Sequence, residues 1–139
     1  MEKEFVPYDI ALAMKELGFN EPCLAAFVNE KLKGCGAIYF EVDGLYNNFG
    51  TGNEEQPWIA TPLYQQAFRW FREKYNLWGK AGFVDEFYTD YSNSDYTQIS
   101  EIRHEYNPEM TAEETTDVIK REEINCLKTL IKVVKNKYQ

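Results

Sequence analysis

The sequence predicts an α+β fold with the order helix, hairpin, helix, hairpin, helix. Three segments carry apolar residues at the three-and-four spacing of an amphipathic helix, and the segments between them alternate apolar and polar residues as strands do. Helices grouped beside hairpins predict a four-stranded, mainly antiparallel sheet with the helices packed on one face. A chain of 139 residues can bury one sizeable core, so a single domain over residues 1–139 is expected.

The first helix is predicted for residues 7–17. Its opening proline fits the first turn of a helix, where the missing N–H donor costs nothing. Ile10 and Met14 recur at helical spacing and are expected to face the core. Gly18 suits the left-handed residue of a Schellman ending, which lets Phe19 fold back onto Met14.

The first hairpin is predicted from CLAAFV and AIYFEV, with the turn-rich stretch NEKLKGCG between them. In the second of these strands, Ile38, Phe40 and Val42 share one face. Residues 43–60 contain four glycines or prolines and several asparagines, which predict a surface loop with a short strand near 45–49. Long loops in compact domains often carry function, so this loop is a candidate binding loop.

The second helix is predicted over Thr61–Lys80, with Thr61 as its N-cap and Gly79 at its end. Its apolar side is mostly aromatic and covers about half of the circumference, which is wider than a minimal stripe. Such a width fits a helix that lies across a sheet and predicts a buried surface. The apolar side consists of Leu63, Tyr64, Ala67, Phe68, Trp70, Phe71, Tyr75 and Trp78.

The second hairpin is predicted from GFVDEFYTDY and YTQISEI, which flank the turn signal SNSD. On a strand, Phe83, Phe87 and Tyr91 share one face. The outer face of this hairpin is acidic and rich in tyrosine.

The last helix begins at Thr111-x-x-Glu114, which has the spacing of a capping box. Acidic residues fill its early turns and lysines its late turns, as the helix dipole prefers. Val118 lies off the apolar stripe, so a break or bend is expected before residue 120. The stripe consists of Ile124, Leu127, Leu130, Ile131, Val134 and Tyr138.

The net charge of -8 is unevenly distributed along the chain. Residues 1–60 carry a net charge of -6 and residues 81–117 a net charge of -9. The two strong helix patterns are basic instead, with +3 over residues 61–80 and +4 over residues 118–139. Compensation between helices and acidic loops, together with solubility, explains this pattern, and so does an acidic surface that attracts a basic partner.

The N-terminal sequence and the spacing of the cysteines predict a protein of a reducing compartment. The N-terminus lacks the apolar region of a signal peptide, and the apolar runs are too short to span a bilayer, so a cytoplasmic protein is expected. The three cysteines are widely spaced and include no CxxC pair, which argues against disulfides and structural zinc. They are expected to be reduced, apart and buried: Cys23, Cys35 and Cys126.

No catalytic, cofactor or metal site is predicted. His104 is the single histidine, and its neighbour Glu105 would point elsewhere on a strand, so no oriented acid–base pair results. The short glycine motifs GCG and GTG lack the third glycine and the strand-to-helix setting of a dinucleotide loop. Adjacent acids such as Asp85 and Glu86 are usual on solvated faces.

Three segments resemble a group of small uncharacterised phage and prophage proteins of Bacteroidetes-type bacteria. They are FVPYDIALAMKELGFNEPC, PLYQQAFRWFREKYNL and CLKTLIKVVKNK, in this order along the chain. The segments are helical rather than catalytic. The resemblance implies an origin in a mobile element, and it implies no site residues because no activity is assigned to that group.

We expect a small non-enzymatic protein that binds another protein through the acidic, tyrosine-rich second hairpin. Tyrosine is common at interfaces because it buries a large area at low entropic cost. The expected partner is a basic protein. Assembly into a homo-oligomer is a further alternative. One alternative is an enzyme with a dispersed carboxylate site, and a second is nucleic-acid binding through the Arg69 and Arg72 face of the second helix. The predicted binding residues are Asp85, Glu86, Tyr88, Asp90, Tyr91 and Tyr96.

Overall fold

The structure is a computed structural model that describes residues 2–34, 45–49, 57–83, 87–93, 98–104 and 107–138. Its contacts divide the chain into two compact units, Met1–Gln65 and Gln66–Gln139. Helices and antiparallel strands occur along the chain, so the predicted α+β class is confirmed. The prediction of one domain over residues 1–139 stays a prediction.

The described strands form two three-stranded antiparallel sheets, in the orders β2-β1-β3 and β4-β5-β6, where one four-stranded sheet was predicted. A short 3₁₀ turn, Glu2–Glu4, precedes the first helix. The three helices are α1 (Tyr8–Glu16), α2 (Tyr64–Tyr75) and α3 (Ala112–Tyr138). The six strands are β1 (Ala25–Val28), β2 (Lys31–Gly34), β3 (Ile59–Thr61), β4 (Leu77–Phe83), β5 (Phe87–Asn93) and β6 (Gln98–His104).

Helix α1 confirms its predicted core stripe and its predicted ending. The N–H of Phe19 donates to the carbonyl of Met14, and the N–H of Gly18 donates to that of Lys15, each at 2.9 Å. Gly18 has a φ of +89°, so these two bonds form a Schellman motif. The helix begins one residue later than predicted because Pro7 is its N-cap, with extended backbone.

The first hairpin differs from the prediction. β1 pairs with β2 through a two-residue turn, Asn29 and Glu30, whose φ values are +50° and +61°. Such a turn fits the twist of a hairpin, but glycine is the usual second residue. Because glutamate stands where glycine is usual, the sequence did not indicate a tight turn. A longer loop was predicted instead. The predicted partner AIYFEV lies outside the described residues.

The predicted N-cap of the second helix has a different role. Thr61 is the last residue of β3, and its hydroxyl donates to the carbonyl of Val6 at 2.8 Å. The N–H of Val6 in turn donates to the carbonyl of Pro62 at 3.0 Å. These bonds hold the N-terminal strand-like segment beside β3, and α2 begins only at Tyr64.

Helix α2 also ends earlier than predicted. Asn76 has a φ of +59°, and its N–H donates to the carbonyl of Arg72 at 3.0 Å, which is a left-handed helix ending. The chain then continues as β4, which places Leu77 in the core and leaves Trp78 43% exposed. The predicted helix to Lys80 and the predicted helical position of Trp78 are therefore wrong.

The aromatic residues Trp70 and Phe71 are buried in the second unit, as predicted. Their rings meet edge to face with centres 5.0 Å apart, a favourable aromatic geometry. Helix α3 lies against β4 and β5. Gly79 in β4 faces it, because a β-carbon there would lie 2.5 Å from Cys126 Sγ and 3.1 Å from Leu130 Cδ1.

Helix α3 confirms the predicted capping box. The N–H of Glu114 donates to Thr111 Oγ1 at 3.2 Å, and the N–H of Thr111 donates to Glu114 Oε2 at 2.8 Å. The expected bend before residue 120 is wrong, because the helix runs without a break for 27 residues. The buried residues of its predicted stripe are Leu127, Leu130, Ile131 and Val134.

The left-handed backbone at Asn76 predicts which substitutions it accepts. We expect Asn76→Gly to leave the free energy of unfolding unchanged or slightly higher, because glycine adopts this conformation freely. Asn76→Val should lower that free energy by about 1–2 kcal/mol, because a β-branched residue is strained there. Urea unfolding followed by circular dichroism measures both changes.

Asn125→Val is the matched control, because Asn125 is exposed on a helical turn of α3. It should change the free energy of unfolding by less than about 0.5 kcal/mol. Equal effects of the valine at positions 76 and 125 would contradict the helix ending described above.

Candidate interaction surface

The predicted contact surface is partly described. Tyr88, Asp90 and Tyr91 lie in β5, the central strand of the second sheet, which pairs with β4 and with β6. Asp85, Glu86 and Tyr96, which were predicted with them, lie outside the described residues. Because β5 pairs with a strand on each side, its backbone is hydrogen-bonded along both edges. This pairing holds the three described positions in place.

The strand register separates these three positions. Asp90 is opposite Lys80 in β4, and Tyr91 is opposite Gly79. Residues directly opposite one another share a face of the sheet. Position 91 therefore belongs to the face that α3 covers at Gly79, whereas position 90 belongs to the other face.

We call the side of the second sheet away from Gly79 the open face. In β4 it presents Trp78, which is 43% exposed, and Lys80, which is exposed. Tyr88 is the register partner of Gly82, two residues after Lys80, so its position belongs to the open face as well. Alternation along a single strand already separates Tyr91 from Tyr88 and Asp90, whereas the residues that they meet on β4 and β6 follow only from the register between strands.

Two acidic positions meet across the open face. The register pairs Asp90 of β5 with Glu101 of β6. Like charges at directly opposite positions destabilise an antiparallel pair of strands. On the other side of β5, the register partner of Asp90 is Lys80. Arg103 of β6 is opposite Tyr88 and belongs to the same face, so the described open-face positions of the three strands include two acidic and two basic residues.

A second feature of this region is a cation–aromatic stack that sequence reasoning missed. Arg72 Cζ lies 4.9 Å from the centre of the Trp78 ring. On a continuous helix these two side chains would lie on opposite sides, and the turn at Asn76 brings them together. The same end of α2 holds Lys74 Nζ 4.9 Å from the ring centre of Trp70. The signal in the sequence was Asn76, which tolerates left-handed backbone.

Carboxylates were the basis of the enzyme alternative. Glu109, Glu114 and Asp117 line an open groove of about 510 Å³ at the start of α3, and all three are exposed. The buried Glu122 has its Oε1 3.8 Å from Arg121 Nε, which makes it part of an ion pair. Among the described residues, no cluster of three or more metal-ligating side chains occurs.

The candidate loop 43–60 is described at residues 45–49 and 57–60. Asn48 is buried, donates to the carbonyl of Phe19 at 2.8 Å and accepts from the N–H of Ala60 at 2.9 Å. This amide ties both described ends of the loop to the first unit. Phe49 beside it is 60% exposed, and residues 50–56 lie outside the described part.

Among the described residues, Cys23 and Cys126 are buried and not disulfide-bonded, which agrees with the predicted reduced state. Burial, with a smaller contribution from the charge of Glu21, raises the pKa of the Cys23 thiol to about 12. Cys126 packs at Gly79, and Cys35 lies outside the described residues. His104 is the last residue of β6.

Comparison with protein families, with curated proteins and with solved structures finds no match to the chain. Within the described part of the chain, every helix is too short or too polar to cross a membrane.

The raised pKa of Cys23 predicts how stability depends on pH. The thiol stays protonated in the folded protein up to about pH 12, whereas an unfolded thiol ionises near pH 9.0. Its contribution to the free energy of unfolding is therefore complete below pH 9 and is lost as the pH rises towards 12, by at most about 1.4 kcal/mol per pH unit. Urea unfolding between pH 8 and pH 11 measures this slope.

Cys23→Ala should have a shallower slope than the wild type over the same interval, and Cys126→Ala is the control for the loss of a buried thiol. Equal slopes for wild type and Cys23→Ala would contradict the assignment.

Proposed function

We propose that this protein is a non-enzymatic binding protein that recognises a basic protein partner through the acidic, tyrosine-rich second hairpin. On the described strands, the proposal relies on Tyr88 and Asp90 of the open face. Asp85, Glu86 and Tyr96 belong to the proposal from their place in the sequence. Tyr91 was predicted to contribute as well. Its position is opposite Gly79 and therefore belongs to the covered face of the sheet, not to the open face.

One observation supports this proposal above the others: Asp90 and Glu101 are register partners. Like charges at directly opposite positions destabilise a sheet. A partner that places an arginine or lysine against the two positions would replace this repulsion with attraction. Binding would then stabilise the acidic pair.

The position of β5 supports the proposal through rigidity. A central strand is held by backbone hydrogen bonds on both sides, so residues on it need little further ordering when a partner binds. Tyrosine adds contact area at a low entropic cost because it has few rotatable bonds. The segment 81–117 also carries a net charge of -9, which would steer a basic partner towards the surface.

Nucleic-acid binding through Arg69 and Arg72 is a second candidate, because Arg72 stacks on the exposed Trp78. Bases stack on aromatic rings beside cations in single-strand binders. The net charge of -8 opposes this candidate, since the phosphate backbone dominates such affinities. The enzyme alternative and the phage origin gain no observation from the structure, and both stay predictions.

Removing a charge from the pair Asp90 and Glu101 should raise the free energy of unfolding and weaken binding of the partner. Glu101→Gln removes the repulsion with Asp90, so we expect the free energy of unfolding to rise by about 0.2–1 kcal/mol. Glu113→Gln, at an exposed position in the first turn of α3, is the control and should be neutral or slightly destabilising. Urea unfolding of the three proteins measures this difference.

The binding test uses a partner that wild-type protein captures from a lysate of the source organism, followed by surface plasmon resonance. Asp90→Lys with Glu101→Lys should lower the association rate more than it changes the dissociation rate, because charge acts mainly on encounter. Tyr88→Ala should raise the dissociation rate, because short-range burial sets residence time. Unchanged binding of every captured partner to the charge-reversed variant would end the proposal.

A further inference from the structure

The geometry points to a second binding site, independent of the proposed function: the outer edge of β4, where we infer that an extended acidic peptide is added as a fourth strand. The site consists of the edge of Leu77–Phe83 together with Lys80, Trp78 and Arg72 beside it. Its ligand class is an acidic segment of a partner protein in extended conformation.

The first observation is the place of β4 in its sheet. The strand order is β4-β5-β6, so β4 is an edge strand of seven residues, and within the described chain it pairs with β5 alone. An edge strand presents a row of backbone N–H and C=O groups that another strand can pair with. Strand addition uses these groups for affinity and neighbouring side chains for specificity.

The second observation is the charge beside this edge. Lys80 is exposed at the centre of β4. Arg72 lies over the Trp78 ring, next to the start of the strand. Residues 61–80, which include α2 and the first half of β4, carry a net charge of +3 in a chain of net charge -8. An acidic peptide complements this positive charge.

The third observation is that the sheet already contains this type of pairing on the inner side of β4. There Asp90 of β5 is opposite Lys80, and Ser92 is opposite Trp78. A peptide on the outer side would repeat the arrangement, with an acidic residue opposite Lys80. The position opposite Trp78 lies two residues from the one opposite Lys80 and shares its face, so an alternating peptide places a second acidic residue there, whose methylene groups would lie against the exposed indole.

A second copy of the chain fits this edge less well. If two β4 strands paired antiparallel over all seven residues, Lys80 of one copy would be opposite Lys80 of the other, since it is the central residue. Like charges in that arrangement oppose pairing, and lysine on an edge strand commonly prevents self-association. The charge therefore favours an acidic strand from a different protein.

The test uses fluorescein-labelled seven-residue peptides and fluorescence anisotropy with the full-length protein. A peptide of alternating glutamate and valine should bind saturably in the micromolar to millimolar range and more weakly as salt increases. Lys80→Glu should weaken this binding by at least about tenfold, because it sets like charges against each other. Lys33→Glu, on the edge strand β2 of the first unit, is the matched control and should leave binding unchanged.

Two control peptides test the binding mode. A lysine–valine peptide should not bind, and a glutamate–valine peptide with N-methyl groups at alternate residues should not bind, since these groups block strand pairing. The inference is overturned if wild-type protein shows no saturable binding, if Lys80→Glu binds like the wild type, or if the N-methylated peptide binds equally well. Preference for an oligothymidylate over the acidic peptide would likewise overturn it in favour of nucleic acid.

Discussion

The close approach of helices to β4 at Gly79 is the constraint on which the arrangement of the second unit depends. A β-carbon at this position would lie 2.5 Å from Cys126 Sγ and 3.4 Å from Phe68 Cε1, so α3 and α2 both reach the strand where a side chain is missing. This contact determines which side of the sheet is covered. Leu77 and Gly79 then belong to the covered side, and Trp78 and Lys80 to the open face.

Local signals in the sequence predicted those elements whose ends depend on local chemistry. Gly18 and the pair Thr111 and Glu114 mark helix ends with hydrogen bonds between near neighbours, and the structure has both. Asn76 and Glu30 adopt left-handed backbone, although neither is glycine, so the turns at these residues had a weak signal. Helical periodicity across Asn76 then predicted a longer helix, and Gly79 was assigned to its end.

The candidate site depends on register, which a single sequence does not contain. The acidic and tyrosine-rich character of the second hairpin was visible from composition, but the pairing of Asp90 with Lys80 and Glu101 was not. Once the pairing is known, the second sheet has an acidic pair between β5 and β6 and a basic, aromatic edge at β4.

The most direct test of this account is the stability of Gly79→Ala, alone and combined with Cys126→Ala. The added methyl group collides with the Cys126 sulfur, so Gly79→Ala should lower the free energy of unfolding by about 1–3 kcal/mol. Removing that sulfur should relieve the collision, and the double-mutant cycle should give a favourable coupling of at least about 0.5 kcal/mol. A Gly79→Ala protein as stable as the wild type, or additive effects in the double mutant, would contradict it.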